Sequence, residues 1–317
     1  MPLLIGTDEA GYGPNLGPLL IGLSAWQVPA EITERNLLES LGKWVTNELP
    51  LRDDERIPIA DSKLLYQPAR GMGLLEAAVS AVGRNLGWRP QTWGEVGKLF
   101  TGNIPDQIWD RDFDFPLPAF AAEDEIVAWQ AMFAAGLRNQ GISLDTWRAK
   151  MVQPREFNER VEQLGSKGTL LSETTLGLIA ETITDLKPTD GVCVTCDKHG
   201  GRDRYAAVLT HVFPECRLEI IRESRAESVY RMQWNETPIK IGFRSKGERS
   251  LPTALASMAA KYLRELAMHA FNAYWQREVP GVPATTGYPG DAKRFWNTIR
   301  ARQQALKIPD AVLWRAK

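Results

Sequence analysis

Two adjacent carboxylates, Asp8 and Glu9, close the apolar run Leu3-Leu4-Ile5-Gly6-Thr7 and open onto Ala10-Gly11-Tyr12-Gly13-Pro14. Paired acids at the mouth of a buried strand can hold a divalent cation against phosphate, since Mg²⁺ takes its shell from carboxylates, waters and substrate phosphate. The residues that follow suit a close approach of backbone to ligand. Gly11 and Gly13 permit positive φ, while Pro14 and Pro18 remove donors and keep the turn from winding into a helix. A dinucleotide-binding loop also uses closely spaced glycines, but it must run from strand into helix. Here Leu19 to Trp26 reads as another strand, against that alternative. The glycines by themselves fit a plain hairpin turn; the acids in front of them favour a metal.

Asp8-Glu9-Ala10-Gly11-Tyr12-Gly13-Pro14-Asn15-Leu16-Gly17-Pro18 resembles the signature of the type 2 ribonuclease H family (ribonuclease HII), and four later segments match in the family's order. Asp61-Ser62-Lys63 is similar to its Asp-Ser-Lys motif, and Cys193-Val194-Thr195-Cys196-Asp197 to the strand that delivers a third carboxylate. The stretch from Ala256-Ser257 through Lys261 to Arg264-Glu265 resembles the Ala-Ser-x-x-Ala-Lys-x-x-Arg-Asp helix, and Gly287-Tyr288-Pro289 the Gly-Tyr-Pro element. Each piece is short; their order across most of the chain carries the resemblance. The chain departs from the pattern at Tyr12, where the family has Arg, and at Glu265, where it has Asp.

The resemblance implies an α/β ribonuclease H-like fold with a mixed central sheet flanked by helices. It further implies metal-dependent cleavage of RNA in RNA–DNA hybrids or ribonucleotide-containing duplexes, leaving 5′-phosphate and 3′-hydroxyl ends. Asp8, Glu9, Asp197 and Glu265 would hold two Mg²⁺ or Mn²⁺ ions, and Lys63 would offer a point charge to phosphate. Gly11, Tyr12 and Gly13 would contact the substrate, the glycines reading the ribose 2′-OH through their backbone. Ser62, Lys261 and Arg264 join them as binding residues, and Tyr288 would sense the sugar at an RNA–DNA junction. Tyr12 can stack or make one hydrogen bond but cannot neutralise a phosphate. His199, two residues past Asp197, is a candidate proton shuttle because His titrates near neutrality. Two alternatives stay open: a nuclease for another nucleic-acid structure, and a non-catalytic nucleic-acid-binding descendant.

A net charge of −1 over 317 residues conceals an asymmetry. Residues 217–317 hold 18 Lys+Arg against 9 Asp+Glu, leaving 20 against 30 for residues 1–216. The basic end is where a polyanion would be gripped. No apolar run is long enough to span a bilayer, and the N-terminal residues lack a signal-peptide pattern, so a soluble cytoplasmic protein is expected. Cys193, Cys196 and Cys216 are an odd, small set that fits reduced core thiols. Positions three apart on a strand face opposite sides, so Cys193 and Cys196 could not chelate together.

Periodicity predicts strands at Leu3–Thr7 and Leu19–Val28, then an amphipathic helix within Glu31–Leu49. Helices follow from Asp61, at Glu123–Arg138 and at Ser172–Leu186, the last capped by Ser172. Trp88–Phe120 reads as strand or loop, with Asp106, Asp110, Asp112 and Asp114 forming an acidic surface loop. The strand Gly191–Asp197, the helix Asp203–Val212 and the strand Arg217–Arg222 suggest a right-handed crossover and a parallel pair. A ribbon over residues 229–246, carrying Arg231, Lys240, Arg244 and Lys246, is expected to grip phosphates. The domain expectation is a catalytic unit over 1–270 with an insertion at about 88–150, and a small helical extension over 271–317.

Overall fold

The computed structural model describes residues 1–51, 53–113, 115–245, 247 and 250–316. Strands β1 (Leu3–Ala10) and β2 (Leu19–Gln27) come first, followed by α1 (Leu37–Ser40) and the short parallel pair β3 (Val45–Thr46) and β4 (Ile57–Pro58). Next come α2 (Ser62–Leu65), α3 (Gly73–Asn85), α4 (Trp93–Thr101), α5 (Glu123–Gln140) and β5 (Ser143–Val152). Helices α6 (Pro154–Leu164) and α7 (Lys167–Leu186) lead to β6 (Val192–Asp197), α8 (Ala206–Val212) and β7 (Arg217–Glu223). The hairpin β8 (Glu227–Trp234) and β9 (Thr237–Arg244) precedes α9 (Leu251–Glu278), α10 (Pro289–Ala305) and α11 (Asp310–Leu313).

One seven-stranded mixed sheet, ordered β5-β2-β1-β6-β9-β8-β7, organises the chain. Its centre is parallel, β1 with β6 and β6 with β9, and its flanks are antiparallel. Alternation along each strand feeds two cores. Leu4, Leu20 and Trp26 pack with α3, α5 and α9, whereas Leu3, Ile5, Leu19 and Ile21 pack with α7 and α8. The α/β architecture and the helices on both faces agree with the sequence reading.

Two glycines set how closely α9 lies on the sheet. A Cβ on Gly6 would stand 2.1 Å from Pro252 C, and one on Gly22 would stand 2.1 Å from Ala256 O. Only bare backbone admits the helix at this depth. That approach brings Ser257 to the end of β1.

Several expectations are corrected. β6 and β7 are not a pair: β9 and β8 stand between them, and β7 is an edge strand hydrogen-bonded to β8. The expected ribbon is, over β8 and β9, part of the sheet, closed by Asn235 and Glu236 at φ 48° and 66°, the left-handed pair a tight hairpin needs. Residues 93–101 form a helix rather than strand or loop, because Thr92 caps it by accepting from Glu95 N at 3.3 Å. α7 starts at Lys167 under a Ser166 cap, so Ser172 lies inside it. Between Glu31 and Leu49 only α1 is helical, four residues long.

The stretch taken as an insertion includes β5, which pairs along the whole of β2. The division near residue 270 falls within α9, a single 28-residue helix. Asp110 is not a surface acid: it is buried, accepting from Trp93 Nε1 at 2.9 Å and Gln107 N at 3.0 Å. Asp114 and Lys246 lie outside the described residues. The cysteines are free, with Cys193 in one core and Cys196 in the other.

Candidate active site

Parallel pairing of β1 with β6 ends at Thr7 and Cys196, so the next residues of both strands project together from the same end of the sheet. These are Asp8, Glu9 and Asp197, and a carboxylate oxygen from each lies within 4.8 Å of the others. Alternation puts Asp8 and Asp197 on the α9 face, and Glu9 follows one residue later. This is the site of an α/β sheet where strand ends meet.

Asp8 and Glu9, half-buried and close to each other and to Asp197, resist ionisation. Burial raises the Asp8 carboxyl to about 7, opposed by a hydrogen bond from Ser257 and reinforced by the Asp197 charge. Burial raises Glu9 to about 8, with Asp8 and Asp197 adding to it. Exposed Lys63 acts in the other direction on both. The Asp61 side chain accepts from Lys63 N at 3.0 Å and caps α2, which fixes where that lysine begins. Asp197 Oδ1 accepts from Gly247 N at 2.9 Å. A set of hard oxygens whose charges lie this close together fits a divalent cation.

Behind Asp8, buried Ser257 and buried Ser62 share a hydrogen bond at 3.0 Å. Ser62 therefore cannot meet a substrate as the motif suggested; it links α2 to α9 and steadies the hydroxyl that serves Asp8. Ser257 stands in the Ala-Ser motif, where the sequence assigns it no role; Gly6 and Gly22 admit the helix that carries it to Asp8.

The loop after β1 rests on a buried guanidinium. Gly11 has φ 87°, and a Cβ there would stand 2.6 Å from Pro18 O and 2.7 Å from Arg264 Nε. Arg264 is 3% exposed and donates to Thr286 O at 2.9 Å, so it supports the loop rather than contacting phosphate. Gly13 is open on its outer side, and Tyr288, 56% exposed, places Cε1 3.7 Å from where a Gly13 Cβ would stand. Gly287 O accepts from Asn15 N at 2.8 Å, tying the two motifs together. Arg315, which no sequence pattern singled out, is buried beneath the same loop and donates to Pro14 O over the Phe157 ring. Its backbone N–H donates to Asn15 O at 2.8 Å, so the last turn of the described chain braces the first motif.

Glu265 lies outside the three-acid cluster. Its Oε1 meets Lys261 Nζ at 2.6 Å and Arg264 Nη1 at 3.5 Å, and Lys261 also sits 4.5 Å from the Tyr66 ring centroid. His199 is buried, with Nδ1 3.0 Å from Ser172 Oγ and its N–H donating to Tyr205 OH at 3.1 Å. Burial holds its ring at about 3, so it does not shuttle protons near neutrality. The ribbon does not present its cations together. Arg244 is paired with Glu34 and Glu227, whereas Arg231 and Lys240 face each other about 13 Å up the strands.

No family model and no curated protein matches the chain. Among the solved structures it is similar to are ribonucleases HII and HIII. The chain aligns with the Archaeoglobus fulgidus RNase HII of a PCNA complex at 16% identity, covering 99% of this chain and 94% of that one, with a TM-score of 0.46. With ribonuclease H2 from Pyrococcus horikoshii OT3 the identity is 16%, the coverage 98% and 92%, and the TM-score 0.43. With Bst-RNase HIII in complex with Mn²⁺ these are 12%, 99% and 66%, and 0.41.

Proposed function

We propose that this chain is a divalent-metal-dependent endonuclease of the ribonuclease H type, hydrolysing the RNA strand of RNA–DNA hybrids to 5′-phosphate and 3′-hydroxyl ends. The observation that carries this reading is the convergence of Asp8, Glu9 and Asp197 within 4.8 Å at the carboxyl ends of parallel strands. Asp8, Glu9 and Asp197 would hold the metal. Mg²⁺ or Mn²⁺, two ions when substrate is bound, would activate a water and stabilise the leaving 3′-oxygen.

The chain's own groups do the rest. Ser257 favours the ionised form of Asp8 against its burial, and Gly247 N orients Asp197. Lys63, exposed beside both acids of β1, offers charge to the scissile phosphate. The open side of Gly13 and the exposed ring of Tyr288 form the wall where a ribose 2′-OH would be read. Glu265, offered by the motif as a fourth ligand, holds Lys261 in place, so its contribution to metal binding is smaller than that of the other three.

The test is cleavage of labelled RNA–DNA hybrid beside matched duplex DNA and duplex RNA, with Mg²⁺, Mn²⁺ and EDTA. Metal-dependent cuts confined to the hybrid's RNA strand are expected. Cutting of duplex DNA would reassign the substrate. Binding without cleavage in any metal would make the chain a non-catalytic nucleic-acid-binding protein.

A further inference from the structure

Around Tyr12, three residues past Glu9, stand two cations, Lys167 and Arg202. Lys167, the first residue of α7, places Nζ 4.8 Å from the centroid of the Tyr12 ring. Arg202, in the loop after β6, donates from Nη2 to Thr169 Oγ1 at 3.0 Å, in the first turn of that same helix. Tyr12 OH stands 3.6 Å from where a Cβ on Gly168 or on Gly200 would lie, so the phenol is lodged between the helix start and the loop. Among the described residues, neither Lys167 nor Arg202 has a carboxylate within 4.0 Å.

This arrangement is electrostatically costly for the chain alone. The first turn of α7 contains no acidic residue, although the positive end of a 20-residue helix favours one, and it carries Lys167 instead. Arg202 adds a second charge to the same end. Both side chains are half-buried, so water screens them less than it would at an open surface. An anion delivered to this spot relieves the repulsion, and the acids of the neighbouring metal centre reach Tyr12 through the Glu9 charge.

We propose that Lys167 and Arg202, held around Tyr12, bind a phosphodiester of the substrate next to the one that is cleaved. The proposal rests on the nuclease reading and deepens it. Tyr12 cannot neutralise a phosphate, but its ring carries a lysine that does, and its hydroxyl adds one hydrogen bond. Tyr12, Lys167 and Arg202 thus act as one contact built from three chain segments.

The test uses the full chain and a labelled RNA–DNA hybrid, with binding measured in Ca²⁺ across a salt series and turnover measured in Mg²⁺. The K167Q/R202Q double variant should flatten the slope of log affinity against log salt by about 1.5, two contacts' worth of released counterions. Its KM should rise about tenfold or more, exceeding any change in kcat. The single K167Q and R202Q variants, each removing one half-exposed head group, should lose about half the slope change each, which separates a lost contact from a lost fold. Y12F should lose less than Y12A, because the phenyl ring still carries Lys167. Unchanged slope and KM in the double variant would overturn the proposal. If wild type binds hybrid without cutting it, the nuclease reading fails while the salt series still decides this one; if it binds no nucleic acid, both fall.

Discussion

Glu76 and the trio of Asp8, Glu9 and Asp197 are both acids pressed against α9, and they are treated in opposite ways. Glu76 is fully buried, and donors surround its carboxylate: Phe120 N, Ala121 N at 2.9 Å and Tyr262 OH at 3.1 Å. Asp110 is a milder case, with two N–H donors and a carboxyl that burial lifts to about 6. In the trio, burial first and then the acids' own charges carry Asp8 to about 7 and Glu9 to about 8. A buried acid supplied with donors holds a fold together. Acids turned towards one another are a liability to the fold that a cation removes.

Substitution should divide the two sets most sharply. Asp8→Asn and Asp197→Asn are each expected to lower metal-dependent turnover by roughly 10³-fold or more, with melting temperature retained or raised in EDTA. Glu76→Ala should do the reverse: turnover per folded molecule is kept while stability falls by about 3 kcal/mol, since three donors lose their acceptor. Steady-state kinetics and chemical denaturation on the three variants measure this. Turnover in Asp8→Asn near the wild-type rate would erase the contrast.

Next in size is a pH effect. Asp8 and Glu9 bind protons more tightly in the folded chain than their ordinary values of 3.8 and 4.5 allow, so the folded state holds more protons between about pH 4 and 8. Stability in EDTA should therefore decline as pH rises through that window, and saturating Mn²⁺ should flatten the decline. Thermal melts with and without metal check it. A metal-free stability that rises over the same window would contradict the assignment.

Smaller effects are expected from the supporting groups. Ser257→Ala removes the hydrogen bond that lowers the Asp8 carboxyl, so the acid limb of the pH–rate profile should move to higher pH, with turnover at pH 7 reduced about tenfold. Glu265→Gln should cost about as much without moving that limb, because its partners are Lys261 and Arg264. The smallest effect is reserved for the R231Q/K240Q pair, at the far end of the strands, where the salt dependence of binding should change by less than one contact's worth. A large change there would restore the ribbon as a phosphate grip.

What the sequence made legible was what local pattern determines. Apolar runs located β1 and β2, and the ordered motifs located all three converging acids. Other features were invisible because they depend on distant partners. Ser62 reads as an exposed motif residue until Ser257 arrives from 195 positions away. Arg315 has no motif at all and is defined by Pro14 and Asn15 at the other end of the chain. The hairpin reads as a free ribbon because nothing local says that β9 will insert beside β6. Glu265 occupies the acid position of its motif, with Glu for Asp, yet the neighbouring cations Lys261 and Arg264 claim its carboxylate.

Mn²⁺ titration by calorimetry near pH 7, run in two buffers of different ionisation enthalpy, tests the central claim most directly. If Asp8, Glu9 and Asp197 form the metal site, binding should release protons, because ligand carboxyls held at about 7 and 8 must ionise to bind. The heat should then differ between buffers, and Asp8→Asn should weaken both the binding and the difference. Absence of Mn²⁺ binding by wild type, or binding left unchanged by Asp8→Asn, would contradict it.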